Sequence, residues 1–355
     1  MPTFLSDVVV DILQKETPIS DYTFVLPSKR AGNFLKKELK NKLNQTVLFP
    51  EIKSIEDFIY ELSSIQLVDT TSLLFEFYSI YLANTPKDVR ESFDVFSKWA
   101  TVVLQDFNEI DRHLIDAKYI FNYLHDINRI EKWDIEKGSE TALIEKHFIF
   151  FKRLEVYYNK LYQHLLRQNR GYQGIQYREA FENLQNYIEN NQNKKLIFAG
   201  FNALNKAEES IINELIENQL AHIYWDVDAY YFNEHPASQF LRQYKNGWNY
   251  YKNHPFNWIK NNLIEKKNIK IVGAPKNSSQ IKYVGELLAA LKASQKNYEN
   301  TALVLADESL LPMILSSLPK TIDQVNITMG YELSSMSVSN LIETILKFHA
   351  NAKNL

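Results

Sequence analysis

A chain of 355 residues, 45% hydrophobic and 23% charged, is long enough for two or three packed domains. Its net charge of −3 excludes a whole-chain pull toward nucleic acid, so any such contact must come from a local patch. The absence of cysteine excludes disulfides, zinc–thiolate sites and iron–sulfur clusters within these residues, and no apolar run reaches the length of a membrane span.

The opening MPTFLSDVVVDILQKE has Asp7 inside its apolar stretch and no basic leader. It reads as an amphipathic helix, not a signal peptide. YTFVL at 22–26, stopped by Pro27, is a buried-strand signal. The segment after it sets Phe34, Leu35, Leu39 and Leu43 on one helical face, and TVLFP at 46–50 reads as a second strand. SIEDFIYEL then begins a helix at Ser54, with Asp57 three residues on, close to a capping box. Strand and helix therefore alternate over 22–62, which is α/β grammar.

Between 67 and 190 the strand runs vanish. Ile144, Phe148, Phe151, Leu154, Tyr158, Leu161 and Leu165 recur at helical spacing, the stripe of a helix packed on other helices. Similar stripes run through 71–83, 92–107 and 117–130. KLIFAG at 195–200 is a strand again, Asn205 is an N-cap with Glu208 three residues on, and HIYWDVD at 222–228 is a further strand. The simplest topology is one α/β domain interrupted by a helical insertion. Residues 236–266 read as linking helices. Strand signals at 270–273, 301–307 and 325–328, with helices at 278–293, 308–317 and 336–349, predict a second α/β domain. Three strands are few for a parallel sheet covered on both faces, so the native polypeptide is expected to continue.

Several chemistries are missing. A P-loop needs a Gly-rich turn and a Lys for the phosphates, yet Gly32, Gly138, Gly171 and Gly174 are the only glycines before residue 195, and none lies in such a pattern. ATP hydrolysis by this chain is therefore not expected, and no resident cofactor is implied. The eight histidines form no HExxH or comparable ligand pair. Asp226 and Asp228, two apart at a strand end, share a face and could hold magnesium; the alternative is a strand-to-helix turn with a capping Asp. DFNEID at 106–111 is open to two readings as well, a metal loop or a solvated turn between helices with Asp111 as N-cap. Residues 26–45 hold six basic residues (29, 30, 36, 37, 40 and 42) against Glu38 alone. Ser28, Lys29 and Arg30 follow the first strand, where open α/β sheets place ligands, so a phosphate-backbone contact competes there with an ordinary solvated helix face. The aromatic stretches DAYYFN and NGWNYYKNHPFNW are either stacking platforms for unpaired bases or helix packing.

FVLPSKRAGNFLKKEL resembles the N-terminal strand–helix of AddB/RexB-type helicase–nuclease subunits of double-strand-break repair, particularly the branch found in Bacteroidetes. The resemblance runs on in order through FPEIKSIEDFI, WATVVLQDFNEIDRHLIDAKYIFNYL, GYQGIQYREA, LIFAGFNALNKAEESII, WDVDAYY, SQFLRQ, IKIVGAPKNSSQIKYVGELL, NTALVLADESLLPMILSSLP and VNITMGYEL. It implies a superfamily 1 helicase-like, P-loop-NTPase-like parallel sheet with a large all-α insertion, followed by the start of a second α/β domain. Domain 1A would be 1–62 plus 194–235, domain 1B 63–193, linker helices 236–266 and the first part of domain 2A 267–355. The resemblance further implies a cytoplasmic protein that binds DNA at single-stranded or duplex ends and pairs with an AddA-like motor subunit. A PD-(D/E)XK exonuclease domain is expected beyond residue 355, so these residues are not expected to be an enzyme by themselves. Many members keep a GxxGxGKT loop, which this sequence lacks. The DNA-facing positions carried over are Ser28, Lys29, Arg30, the Ser54 helix start, and the Ser279–Gln280 turn. The alternative role is a module that docks the motor subunit without touching DNA.

Overall fold

The computed structural model describes residues 3–43, 46–123, 141–256, 259–294 and 301–351, and of residues 141–149 the backbone alone. They form two compact units, Met1–Glu265 and Lys266–Leu355. No helix among the described residues is long and apolar enough to cross a membrane.

The first unit begins with helix α1 (Phe4–Leu13), strand β1 (Tyr22–Leu26), helix α2 (Lys29–Lys42), strand β2 (Glu51–Ser54) and helix α3 (Ile55–Ser63). Short strands β3 (Gln66–Leu67) and β4 (Arg170–Gly171) pair with each other, and β5 (Lys195–Ala199) and β6 (Ala221–Tyr224) return to the main sheet. That sheet is wholly parallel, in the order β2-β1-β5-β6. β1 is buried along its full length because both sheet faces are covered. Phe24 and Leu26 face Val8, Val9 and Ile12 of α1 and Leu35 and Leu39 of α2. Val25 faces the other way, into a core with Phe58 and Ile59 of α3 and with Ile211, Ile212 and Leu215. This period of two is the strand geometry itself.

Two sequence expectations shift here. The second strand is EIKS at 51–54, and 46–50 is irregular, with Leu48 and Phe49 exposed. Pro50 has no N–H to give to a ladder, so pairing starts just after it. On α2, Leu35 and Leu39 are fully buried, but Phe34 is exposed because its position turns one step off the sheet-facing stripe.

The chain leaves the sheet after α3 and builds a second core. It consists of α4 (Thr70–Asn84), α5 (Phe93–Arg112), residues 117–123 of a helix α6, and α7 (Thr141–Leu166). Phe77, Phe96, Phe107, Tyr157 and Leu161 are its large buried side chains, and Phe77 makes edge contacts with Phe107 and Tyr157. The predicted stripe at 117–130 lies outside the described residues beyond 123.

Helix α8 (Gln173–Glu182) joins the two cores. Tyr172, at its N-cap, and Ile175 belong to the helical core, whereas Tyr177 and Ala180 belong to the core under the sheet. Helices α9 (Leu184–Asn190) and α10 (Lys206–Glu217) follow, and α10 starts with the predicted Asn205–Glu208 capping box. After β6, strand β7 (Val227–Asp228) pairs with β8 (Ile259–Lys260) around α11 (Ala229–Phe232), α12 (Gln239–Gly247) and α13 (Tyr250–Asn253). Tyr244 and Phe256 stack on Trp225, so this stretch packs onto the sheet domain's core.

The second unit departs from the expected α/β pattern. It holds α14 (Asn277–Ala293), α15 (Leu311–Ser317) and α16 (Ser337–Asn351). Helices α14 and α15 approach closely: a Cβ on Gly285 would stand 2.7 Å from the Ser317 carbonyl oxygen. The predicted strands at 270–273, 301–307 and 325–328 have no strand pairing among the described residues, and Ile271 and Val304 are 93% and 85% exposed. A strand exists through a neighbouring strand's hydrogen bonds, and these segments have no such neighbour among the described residues.

Gly174 marks where α8 meets α5: a Cβ there would lie 2.4 Å from the Asn108 carbonyl oxygen and 2.9 Å from Asp111 Cβ. Gly174→Ala is expected to cost about 1–3 kcal/mol, read as a lowered urea midpoint. Gly247→Ala, where a Cβ meets nothing within 4 Å, is expected to leave the midpoint unchanged or slightly raised.

Candidate nucleic-acid interface

The sheet winds in two directions from its middle. β1-α2-β2 steps one way with α2 on one face, and β5-α10-β6 steps the other way with α10 on the opposite face. The point of reversal therefore lies between β1 and β5, where open α/β sheets take ligands beyond the strand carboxyl ends. Here Gly200 turns the chain with φ +82°, a conformation that a side chain would strain. The Phe4 ring of α1 and the Pro27 ring lie beside it, 3.8 and 3.9 Å from where a Cβ would stand. An aromatic side chain thus lies beside the reversal point of the sheet.

One strand over, Ser28, Lys29 and Ser54 come together. Leu26 pairs with Ser54 in the β1–β2 register, so the two helix starts that follow are neighbours. Ser28 caps α2 by accepting from Ala31 N at 3.2 Å. Ser54 Oγ accepts from Asp57 N at 3.2 Å and donates to Asp57 Oδ2 at 2.7 Å, so its predicted capping role holds. Lys29 Nζ is 3.1 Å from Asp57 Oδ1, with 73% of the Lys29 side chain exposed. The Ser54 hydroxyl foremost, and Lys29 after it, hold the Asp57 carboxyl below its usual range against partial burial. An exposed pair of this kind contributes little to stability and yields readily to another anion. Arg30, Lys36, Lys37, Lys40 and Lys42 are also exposed, so the outer face of α2 is basic. Sequence reasoning missed Asp57 as the partner of Lys29, because nothing local sets residues 28 apart beside each other.

Beside Lys29 opens a cleft of about 340 Å³ between α3, β3 and α8, lined by Glu56, Asp57, Tyr60, Gln66, Gln173 and Tyr177 among others. Ser279 and Gln280 lie in the first turn of α14, in the second unit.

Two of the carboxylate candidates, Asp228 and Asp111, have structural roles. Asp228 accepts from Tyr230 N at 3.0 Å and from Leu263 N at 2.9 Å, which makes it the capping Asp of a strand-to-helix turn. Asp111 is neither a metal ligand nor a solvated N-cap. It sits in the last turn of α5, wholly buried. Its carboxylate accepts from Tyr158 and Tyr172 hydroxyls, each at 2.5 Å, and from Arg178 Nε at 2.6 Å. Arg178 Nη2 donates to the Ile110 and Ile115 carbonyls at 3.1 and 2.7 Å. Burial pushes the Asp111 carboxyl up while the two hydroxyls and Arg178 pull it down, and the Tyr158 and Tyr172 phenols are pushed well up by burial beside it. No cluster of three or more His, Asp and Glu side chains among the described residues is arranged to hold a metal ion. In the aromatic stretches, Phe232 and Trp248 are buried, which is packing, while Tyr230 is exposed.

No protein-family model matches this chain, and no curated protein shows a significant match to it.

Arg178→Leu is expected to leave the Asp111 carboxylate buried without its cation and to cost about 3–5 kcal/mol in chemical denaturation. The Asp111→Leu/Arg178→Leu double variant is expected to recover part of that loss, because both charges then leave the interior together.

Proposed function

We propose that this chain is the helicase-like, DNA-binding scaffold portion of an AddB-like exonuclease subunit in double-strand-break repair. It works in the cytoplasm beside an AddA-like motor subunit, and that partner supplies ATP hydrolysis. The observation carrying this reading is the course of the chain: it leaves a parallel sheet after α3, builds a separate helical core, and returns to pair β5 beside β1. A translocating motor with a helical insertion has this layout in the resemblance described above. Two further features support a role without nucleotide chemistry. The sequence has no phosphate-cradling glycine loop, and the Phe4 and Pro27 rings both lie beside Gly200 at the reversal point of the sheet. The basic outer face of α2, with Ser28, Lys29 and Arg30 at its start, supplies the phosphate contacts, and Ser54 orders the neighbouring helix start. Ser279 and Gln280 belong to this reading as contacts from the second unit.

A second reading, docking of the motor without DNA contact, draws on the pairing of Lys29 with Asp57 and on Glu56 beside it, which temper the positive charge of that edge. Fluorescence anisotropy with a tailed duplex separates the two. The DNA reading expects affinity that falls steeply with salt, since each phosphate contact releases about 0.9 counterion. It also expects Lys29→Glu/Arg30→Glu to weaken binding and flatten that salt slope. Equal binding by the variant and the unaltered chain would remove this edge as the DNA contact and favour docking.

A further inference from the structure

A second cleft, of about 430 Å³, opens in the helical insertion between α7, α8 and the turn that leads into α6. Its size falls within the roughly 300–1,000 Å³ of small-ligand sites. Asn159 and Gln163 stand one turn apart on α7, so both carboxamides face the same opening. Asp116 also lines the cleft and caps α6 by accepting from Tyr119 N at 3.1 Å. Tyr162 and Arg178 form the wall.

These walls are held in place. The Tyr162 hydroxyl donates to Glu179, and Arg178 is fixed by Asp111 and two backbone carbonyls. The commitment of Arg178 matters for the ligand. Its Nε and Nη2 are already engaged, and the remaining charged side chain in the cleft is an acid, so a phosphate would find a poor partner here. Carboxamides offer a donor and an acceptor side by side, the pattern that matches the edge of a base, and a carboxylate accepts from an exocyclic amine. An aromatic ring beside them supplies a stacking face. On α6, which begins at the rim, Tyr119 and Tyr123 stand parallel, 6.3 Å apart at 8°, and are 68% and 51% exposed. Two exposed, stacked phenols are a platform for successive unpaired bases.

We infer that this cleft binds an unpaired nucleobase bearing an exocyclic amine, which adenine, cytosine and guanine have and thymine lacks, from a single strand. The inference rests on the nucleic-acid reading above but uses a different surface, one that reads bases where the α2 edge holds phosphates. A chain built this way prefers some single strands over others without any free cation in the cleft.

The test compares oligo-dA, oligo-dC and oligo-dT of about 12 nucleotides, within the usual site size of single-strand binders. The chain is expected to bind oligo-dA and oligo-dC about tenfold tighter than oligo-dT, because thymine has no exocyclic amine. Asn159→Ala/Gln163→Ala, both at exposed positions, is expected to erase that preference. Equal binding of all three by the unaltered chain, or a preference that survives the double substitution, overturns the proposal. Deoxyadenosine, which carries no phosphate, separates this cleft from the α2 edge. Shifts of the Asn159 and Gln163 carboxamide NMR signals on its addition support the cleft even where Lys29→Glu/Arg30→Glu leaves DNA affinity unchanged. Unmoved signals at saturating nucleoside overturn it even where the α2 edge is upheld.

Discussion

A carboxylate taken wholly out of water needs a cation and further donors close by, or it takes up a proton. Asp111 has them: Arg178 and two tyrosine hydroxyls, with Arg178 Nη2 donating in turn to the Ile110 and Ile115 carbonyls. These groups come from four places in the chain: the end of α5, the middle of α7, the N-cap of α8 and its body. Such a cluster contributes little net stability over apolar packing, but it penalises every arrangement in which one member is missing. It therefore selects one register for α5, α7 and α8. Gly174 has the same effect sterically, since the closeness of α8 to α5 leaves no room for a Cβ.

Because α8 is shared between two cores, that register reaches the sheet domain. Tyr177 donates to Glu208, the same carboxylate that completes the cap of α10, and Gln176 donates to the Ile65 carbonyl just past α3. The helical insertion is thus anchored to the elements that flank the carboxyl edge of the sheet. The cleft beside Lys29 is a product of this anchoring, with one wall from α3 and the other from β3 and α8. The cleft at Asn159 and Gln163 shares Arg178 with the buried cluster, so its wall is only as ordered as that cluster is. Fold and candidate surfaces depend on one set of polar contacts.

Much of the local structure was legible in the sequence. β1 and β5 were readable because short apolar runs ended by Pro27 or Gly200 leave few alternatives. The caps at Ser54 and Asn205 were readable because capping is a contact between residues three apart. The insertion was readable as a change of period. What failed depended on distant partners. TVLFP at 46–50 has strand composition, yet the strand is the segment after it, 51–54, because β1 offers its register to EIKS. Ile271 and Val304 sit in strand-like runs that find no pairing strand among the described residues. DFNEID looked like a solvated turn or a metal loop because Tyr158, Tyr172 and Arg178 are 47, 61 and 67 residues away from Asp111. The signal that could have linked them is GYQGIQYREA, where a lone Arg follows two aromatics and two glycines on a segment otherwise suited to packing. Lys29 was legible as exposed and basic, but its pairing with Asp57 was not.

If the buried cluster and the shared helix join insertion and sheet domain into one cooperative body, their slowest amides must open together. Native-state hydrogen exchange of the whole chain in graded denaturant measures this directly. The backbone amides of α5 and α8 are expected to exchange at the same opening free energy as those of β1 and β5. Protection of α5 and α8 lost at clearly lower denaturant, with the sheet still closed, would contradict the account.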